Sequence, residues 1–258
     1  MTTDWMTQLK SITLHVDGEL PRMWPDDASE NYRDARLALL DAEVALRDQI
    51  EAVAAQRRAL PPGPAMPDYE LSEGPIDLTT DAPSTTVGLA DLFGDHDELI
   101  VYHLMFHPDD DAACPMCSMW VDGLHGVSHH IARRAGLAII AKAPIHKLRA
   151  WGRHRGWHGL RLVSAYGTSF TTDLGTEGSR GGQSPAVSVF ARHQEQVRHV
   201  YTQHADFPDG RGRGIDLLSP VWHLWDLLPS GRGDWYPDNA YPGARRGEAA
   251  PGNGRGSG

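Results

Sequence analysis

The stretch Glu98–Trp120, ELIVYHLMFHPDDDAACPMCSMW, decides how the rest of the chain is read. Its first nine residues, Glu98–Phe106, form a short apolar run rich in β-forming side chains, the pattern of a buried strand. An acidic loop, His107–Ala113, follows. A helix is expected from near Cys114 to about Ala135, with Pro115 at its first position, where a missing N–H costs nothing. Leu137–Ala141, LAIIA, reads as a second buried strand. The cysteines Cys114 and Cys117 therefore stand where a buried strand hands over to a helix.

Working outward, a helix is expected from Pro144-Ile145 to between Trp151 and Arg155, then a strand at Leu160–Ser164. Ala186–Phe190 and Val197–Thr202 read as a strand pair around a polar turn, and Ile215–Leu228 as a closing helix. Strands alternating with helices imply an α/β fold with a mixed sheet. Upstream, Glu30–Leu60 carries Leu39, Leu46, Ile50, Val53 and Leu60 along one helical stripe, with Ser29 as N-cap and Pro61-Pro62-Gly63-Pro64 as terminator. This helix either packs on its own domain or forms a homodimer contact over residues 30–60. A β-hairpin is expected from Tyr69 and Leu71 on one side of Glu73-Gly74-Pro75 and Ile76 and Leu78 on the other, then a helical turn at Leu89–Phe93. The expected organisation is an irregular segment at 1–29, a helix-plus-hairpin extension at 30–89, the main domain at 90–232 and a tail at 233–258 with a disordered Gly-rich end.

The 258 residues suffice for a substantial core. The formal charge of -10 disfavours nucleic acid and anionic membranes as partners. No apolar run reaches about 18 residues, so no membrane-spanning helix is expected. The start, MTTDWMTQLKSI, lacks a basic stretch before an apolar one, so a cytoplasmic location is expected. In that setting a CxxC is a redox pair or a metal site before it is a structural staple. At a helix N-terminus the free N–H groups and the dipole favour a thiolate at Cys114, with Cys117 one turn behind as the resolving thiol. Asp109, Asp110 and Asp111 oppose this if they face the sulfur, and matter little if they face water.

The blocks YHLMF, CPMCSMWVDG and GRGIDLL…LLPSGR resemble an uncharacterised bacterial family, domain of unknown function 899, from about Arg36 to Arg232. The resemblance implies a thioredoxin-like fold with peroxiredoxin-like embellishments, over a core from about Ala90 to Leu228. It names no substrate. The chain departs from the family pattern at His107 and near Asp110. In thioredoxin-like folds a cis-proline stands before a central strand and holds substrate beside the CxxC. Ser184-Pro185, just before AVSVF, is expected in that role. Peroxiredoxin spacing is absent: Pro108 lies six residues before Cys114 and seven before Pro115, and Ala112 occupies the hydroxyl position. The CxxxC and distal His of copper-delivering thioredoxin-like proteins are absent too.

The expected function is a thiol–disulfide oxidoreductase acting on a small-molecule or protein thiol or disulfide. Cys114 and Cys117 are catalytic, and Pro185, Ser184 and Trp120 bind substrate, with no cofactor required. The alternative is a copper or zinc site built from Cys114, Cys117, His107 and His103, since thiolate and imidazole suit those metals. His125 and His129 share a helix face without a third ligand. Arg149, Arg153 and Arg155, with His146, His154 and His158, make a basic segment read as surface or as a site for an acidic partner. Tyr102 and Tyr166 could line a cleft. Gly175–Pro185 is Gly-rich but lacks the Lys of a phosphate loop.

Overall fold

A computed structural model of the protein describes residues 23–240, apart from Glu195. The chain divides into two compact units between Ala59 and Leu60. In the first, α1 (Glu30–Arg58) is capped by Ser29, whose Oγ accepts the Tyr32 N–H at 3.3 Å. None of its residues is buried. Leu39, Leu46 and Ile50 are exposed.

The second unit is built on β3 (Glu98–Leu104). Its parallel neighbour β4 (Gly136–Ala141) pairs from Leu99↔Gly136 to Leu104↔Ala141, and β5 (Arg161–Ser164) continues the parallel set. On the other side β6 (Ala186–His193) runs antiparallel to β3, and β7 (Gln196–His204) antiparallel to β6. With β1 (Leu71–Glu73) and β2 (Thr85–Val87) the order is β2-β1-β5-β4-β3-β6-β7. The helix α2 (Pro115–Ile131) crosses from β3 to β4, and α3 (Ile145–Arg155) from β4 to β5. A βαβ unit followed by an antiparallel pair and a closing helix is the thioredoxin-like arrangement.

Side chains alternate across the central strand. Tyr102 and Leu104 face a core containing Cys117, Trp120, Val121, Leu148, Trp151 and Trp157. Leu99 and Val101 face a second core with Phe93, Ile140, Val163, Phe170 and Phe190. Each fully buried side chain of this size contributes about 1.5–3 kcal/mol relative to exposure, so β3 is clamped from both sides. Gly136 is needed where β4 begins, because a Cβ there would lie 2.8 Å from the Leu92 carbonyl oxygen.

Several elements differ from expectation. The hairpin partner of β1 is Thr85–Val87, not Ile76–Leu78. Leu78 is instead a core residue, 1% exposed, in a loop held by Arg149, which donates to the carbonyls of Pro75, Asp77 and Thr80. The strand ends at Leu104, before Met105 and Phe106, and α2 ends at Ile131. The closing helix is broken into a 3-10 turn, Asp216–Leu218, and α5 (Pro220–Asp226). Pro220 can open a helix but cannot sit inside one without losing a backbone bond. A short helix α4 (Phe170–Asp173) was not expected. The disordered end expected for the tail lies outside the described residues.

Candidate active site

Cys114 is the N-cap of α2. Its N–H donates to the Met105 carbonyl at 3.0 Å and its own carbonyl accepts from Ser118 N–H at 2.9 Å, which ties the helix start to the end of β3. The sulfur is half-buried, and its pKa is lowered from about 9 to about 6. The first cause is the hydrogen bond from the Cys117 thiol; partial burial opposes it, and the Cys117 and Met116 N–H groups and the Tyr236 hydroxyl assist. These N–H groups are among those a helix start leaves without intrahelical partners. Cys117 is fully buried and a free thiol, as is Cys114. Its pKa is pushed up, first by its bond to Cys114 and then by burial. The environment thus divides two chemically identical groups into an accessible thiolate and a protonated thiol behind it.

Beneath the pair lies Tyr102, completely buried and stacked on Trp120 at 6.2 Å and 12°. Its hydroxyl has no hydrogen-bond partner, and burial first, then the nearby Cys117, push its pKa up. Trp151 Nε1 donates to Ser118 Oγ at 3.1 Å, and Trp157 Nε1 to Asp122 Oδ1 at 2.7 Å. Asp122 also pairs with Arg155, whose side chain is 3% exposed. The basic segment is split: Arg149 and Arg155 are buried donors, whereas His146, Arg153, His154 and His158 are exposed, with Arg153 donating to the Leu78 carbonyl at 3.1 Å.

Asp109, Asp110 and Asp111 are exposed, so water screens them. Lys147 Nζ holds their loop through the carbonyls of Pro108, at 2.6 Å, and Asp110, at 3.0 Å.

Other expected site residues are placed differently. Trp120, 4% exposed, is a core residue stacked on Tyr102. The peptide bond before Pro185 is trans, not cis. Ser184 N–H donates to the Thr176 carbonyl, and the Pro185 carbonyl accepts from Ala205, so these backbone groups are already engaged. Pro185 does precede β6 beside the end of β3, where Ala186 pairs with His103.

The four residues expected around a metal are not gathered. His103 lies on the sheet face away from α2, stacked on Phe170, with Nε2 2.8 Å from Ser188 Oγ. Burial pushes its pKa down to about 3, so it is neutral. His107 Nδ1 accepts from the Asp109 N–H at 3.2 Å. Among the described residues no group of three or more His, Cys, Asp or Glu is placed to hold a metal. His125 Nε2 lies 2.9 Å from the His158 carbonyl, a bond across to the segment before β5. Tyr166 is 58% exposed and does not accompany Tyr102. Thr176 and Glu177 in the Gly-rich segment are buried, with Glu177 bound to Lys142 and Thr171.

Tyr236 is the site residue that sequence reasoning missed. Its signal was an aromatic pair, Trp235-Tyr236, inside an otherwise polar, Gly-rich tail.

Among solved structures, the chain is similar to AhpC of Enterococcus faecalis at 12% identity and a TM-score of 0.44, covering 69% of this chain and 98% of that one. It is also similar to the reduced Prx3 of Vibrio vulnificus in complex with H2O2, at 16% identity and a TM-score of 0.43, over 62% and 99% of the two chains. An uncharacterised conserved protein from Geobacillus kaustophilus follows at 13% identity and a TM-score of 0.36, over 57% and 70%. No curated protein matches the sequence. No helix among the described residues is long and apolar enough to cross a membrane. The model of the bacterial protein of unknown function DUF899 matches residues 24–246, nearly all of the chain around the strand, the dithiol and the closing segment, and the protein belongs to that family.

Proposed function

We propose that the protein is a thiol–disulfide oxidoreductase, or a related dithiol redox enzyme, working through Cys114 and Cys117. The observation that carries this reading is the division of the pair: Cys114 at a helix start with its pKa near 6, and Cys117 buried, protonated and bonded to it. The Cys114 thiolate attacks one sulfur of a substrate disulfide, forming a mixed disulfide and releasing the other sulfur as a thiolate. Cys114 then carries no charge, and the neighbour that held the Cys117 proton is gone. Cys117 loses that proton and attacks the Cys114 sulfur. The products are the Cys114–Cys117 disulfide and a second substrate thiolate; two electrons pass to the substrate, and its released sulfurs take up the Cys117 proton and one more from water. The sulfurs carry the electrons, so the reaction needs no cofactor. Tyr102 is positioned to steady Cys117 before it attacks. Ser184 and Pro185 are proposed as one wall of the substrate groove.

The test is trapping. With Cys117→Ser, the Cys114 mixed disulfide has no resolving thiol and should persist on reaction with a small disulfide. Mass spectrometry should find it on Cys114, and the wild type should instead show the internal disulfide. A wild type that forms no Cys114–Cys117 bond under mild oxidation would end the proposal.

A further inference from the structure

The far end of the chain returns to the mouth of the dithiol. Trp235 packs against Trp222 at 6.0 Å and Trp225 at 5.4 Å. Asn239 Nδ2 donates to the carbonyl of Ala113, the residue before Cys114, at 3.1 Å. Arg155 Nη1 donates in turn to the Asn239 carbonyl at 3.2 Å. Between these two anchors stands Tyr236, whose hydroxyl lies close enough to Cys114 to help lower the thiol's pKa. The Tyr236 side is 62% exposed, so it covers the thiol without being locked into the core.

We infer that Trp235–Asn239 is a strap laid across the Cys114 thiol, with Tyr236 as a positioning residue that orients the thiolate and that an incoming disulfide displaces. This rests on the dithiol reading and narrows it. A flat protein surface cannot reach the sulfur beneath a strap anchored at both ends, so the favoured substrates are small or extended disulfides. The groups facing Cys114 are Cys117 from α2, Tyr102 from β3 and Tyr236 from the strap. Once Cys114 is in a disulfide it is a neutral, weak acceptor. Tyr236 then loses its partner, and the strap loosens on oxidation.

The test uses the full chain in reduced form, with iodoacetamide as the small reagent and a maleimide carrying a polymer chain as the bulky one. Tyr236→Phe removes the hydroxyl alone and should raise the pH midpoint of Cys114 alkylation by iodoacetamide by about one unit. Asn239→Ala frees one anchor. It should speed the bulky reagent about three- to ten-fold, with the small reagent little changed. If Cys114 keeps its low midpoint in all three proteins, and both reagents keep their rate ratio, the strap is overturned and the dithiol reading stands. If the wild-type Cys114 titrates like an ordinary thiol and forms no bond to Cys117, the dithiol reading itself falls.

Discussion

Replacing Cys117 with alanine removes the contact that does most to hold Cys114 near 6. A hydrogen bond to a charged group contributes about 1.5–3 kcal/mol, and one pKa unit corresponds to about 1.4 kcal/mol, so Cys114 should titrate about one to two units higher in Cys117→Ala. At pH 6 its thiolate fraction then falls from about one half to between about one tenth and one hundredth. A more basic thiolate is intrinsically a better nucleophile, by roughly three- to eight-fold for this change. The two effects oppose each other, and their balance depends on pH. Reaction with a small neutral disulfide should be about two- to six-fold slower than wild type at pH 6, and about three- to seven-fold faster at pH 9. The crossover is the diagnostic, because a change in packing or access alone would shift the rate in one direction at every pH. Cys117→Ser retains a donor and should follow the wild-type profile. The assay is stopped-flow absorbance of the released thiol between pH 5 and 10. Superimposable profiles for Cys117→Ala and wild type would refute the claim that Cys117 sets the reactivity of Cys114.

Two further predictions concern stability. His103 has its folded pKa at about 3, below the ordinary 6.5 it regains on unfolding, so the unfolded chain binds the extra proton between those values. Stability from this group is therefore present above about pH 6.5 and is lost as pH falls toward 3, by about 2 kcal/mol between pH 7 and 5. Urea unfolding at the two pH values should show that loss, and His103→Gln should lose correspondingly less; an unchanged pH slope in the variant would assign the effect elsewhere. Asp122→Ala strips Arg155 of its carboxylate and Trp157 of its indole acceptor. Losing a charge-assisted hydrogen bond together with the indole's acceptor costs about 2–4 kcal/mol, and denaturation within about 1 kcal/mol of wild type would show that the pair is not structural.

What the chain itself determined was local. An apolar run, a proline one residue past a cysteine and a second cysteine one turn on specify a strand, a helix start and a dithiol on its first turn, because each depends on neighbours within a few residues. The strands themselves came from the same short-range patterns. Where the reading went astray, the cause was long-range. Ile76 and Leu78 alternate like a strand, but Leu78 is apolar because it fills the core. The carbonyls around it are satisfied by Arg149, a residue some seventy positions away. Alternation placed His103 on one face of its strand but could not say which face α2 would cover; α2 covers the other, which separates His103 from the cysteines. Tyr236 approaches Cys114 only because Trp235 finds Trp222 and Trp225, and Asn239 finds Ala113. Backbone propensity and periodicity act between near neighbours, whereas the polarity around a sulfur is the sum of whatever the folded chain brings within a few ångströms of it, and that sum exists only in three dimensions.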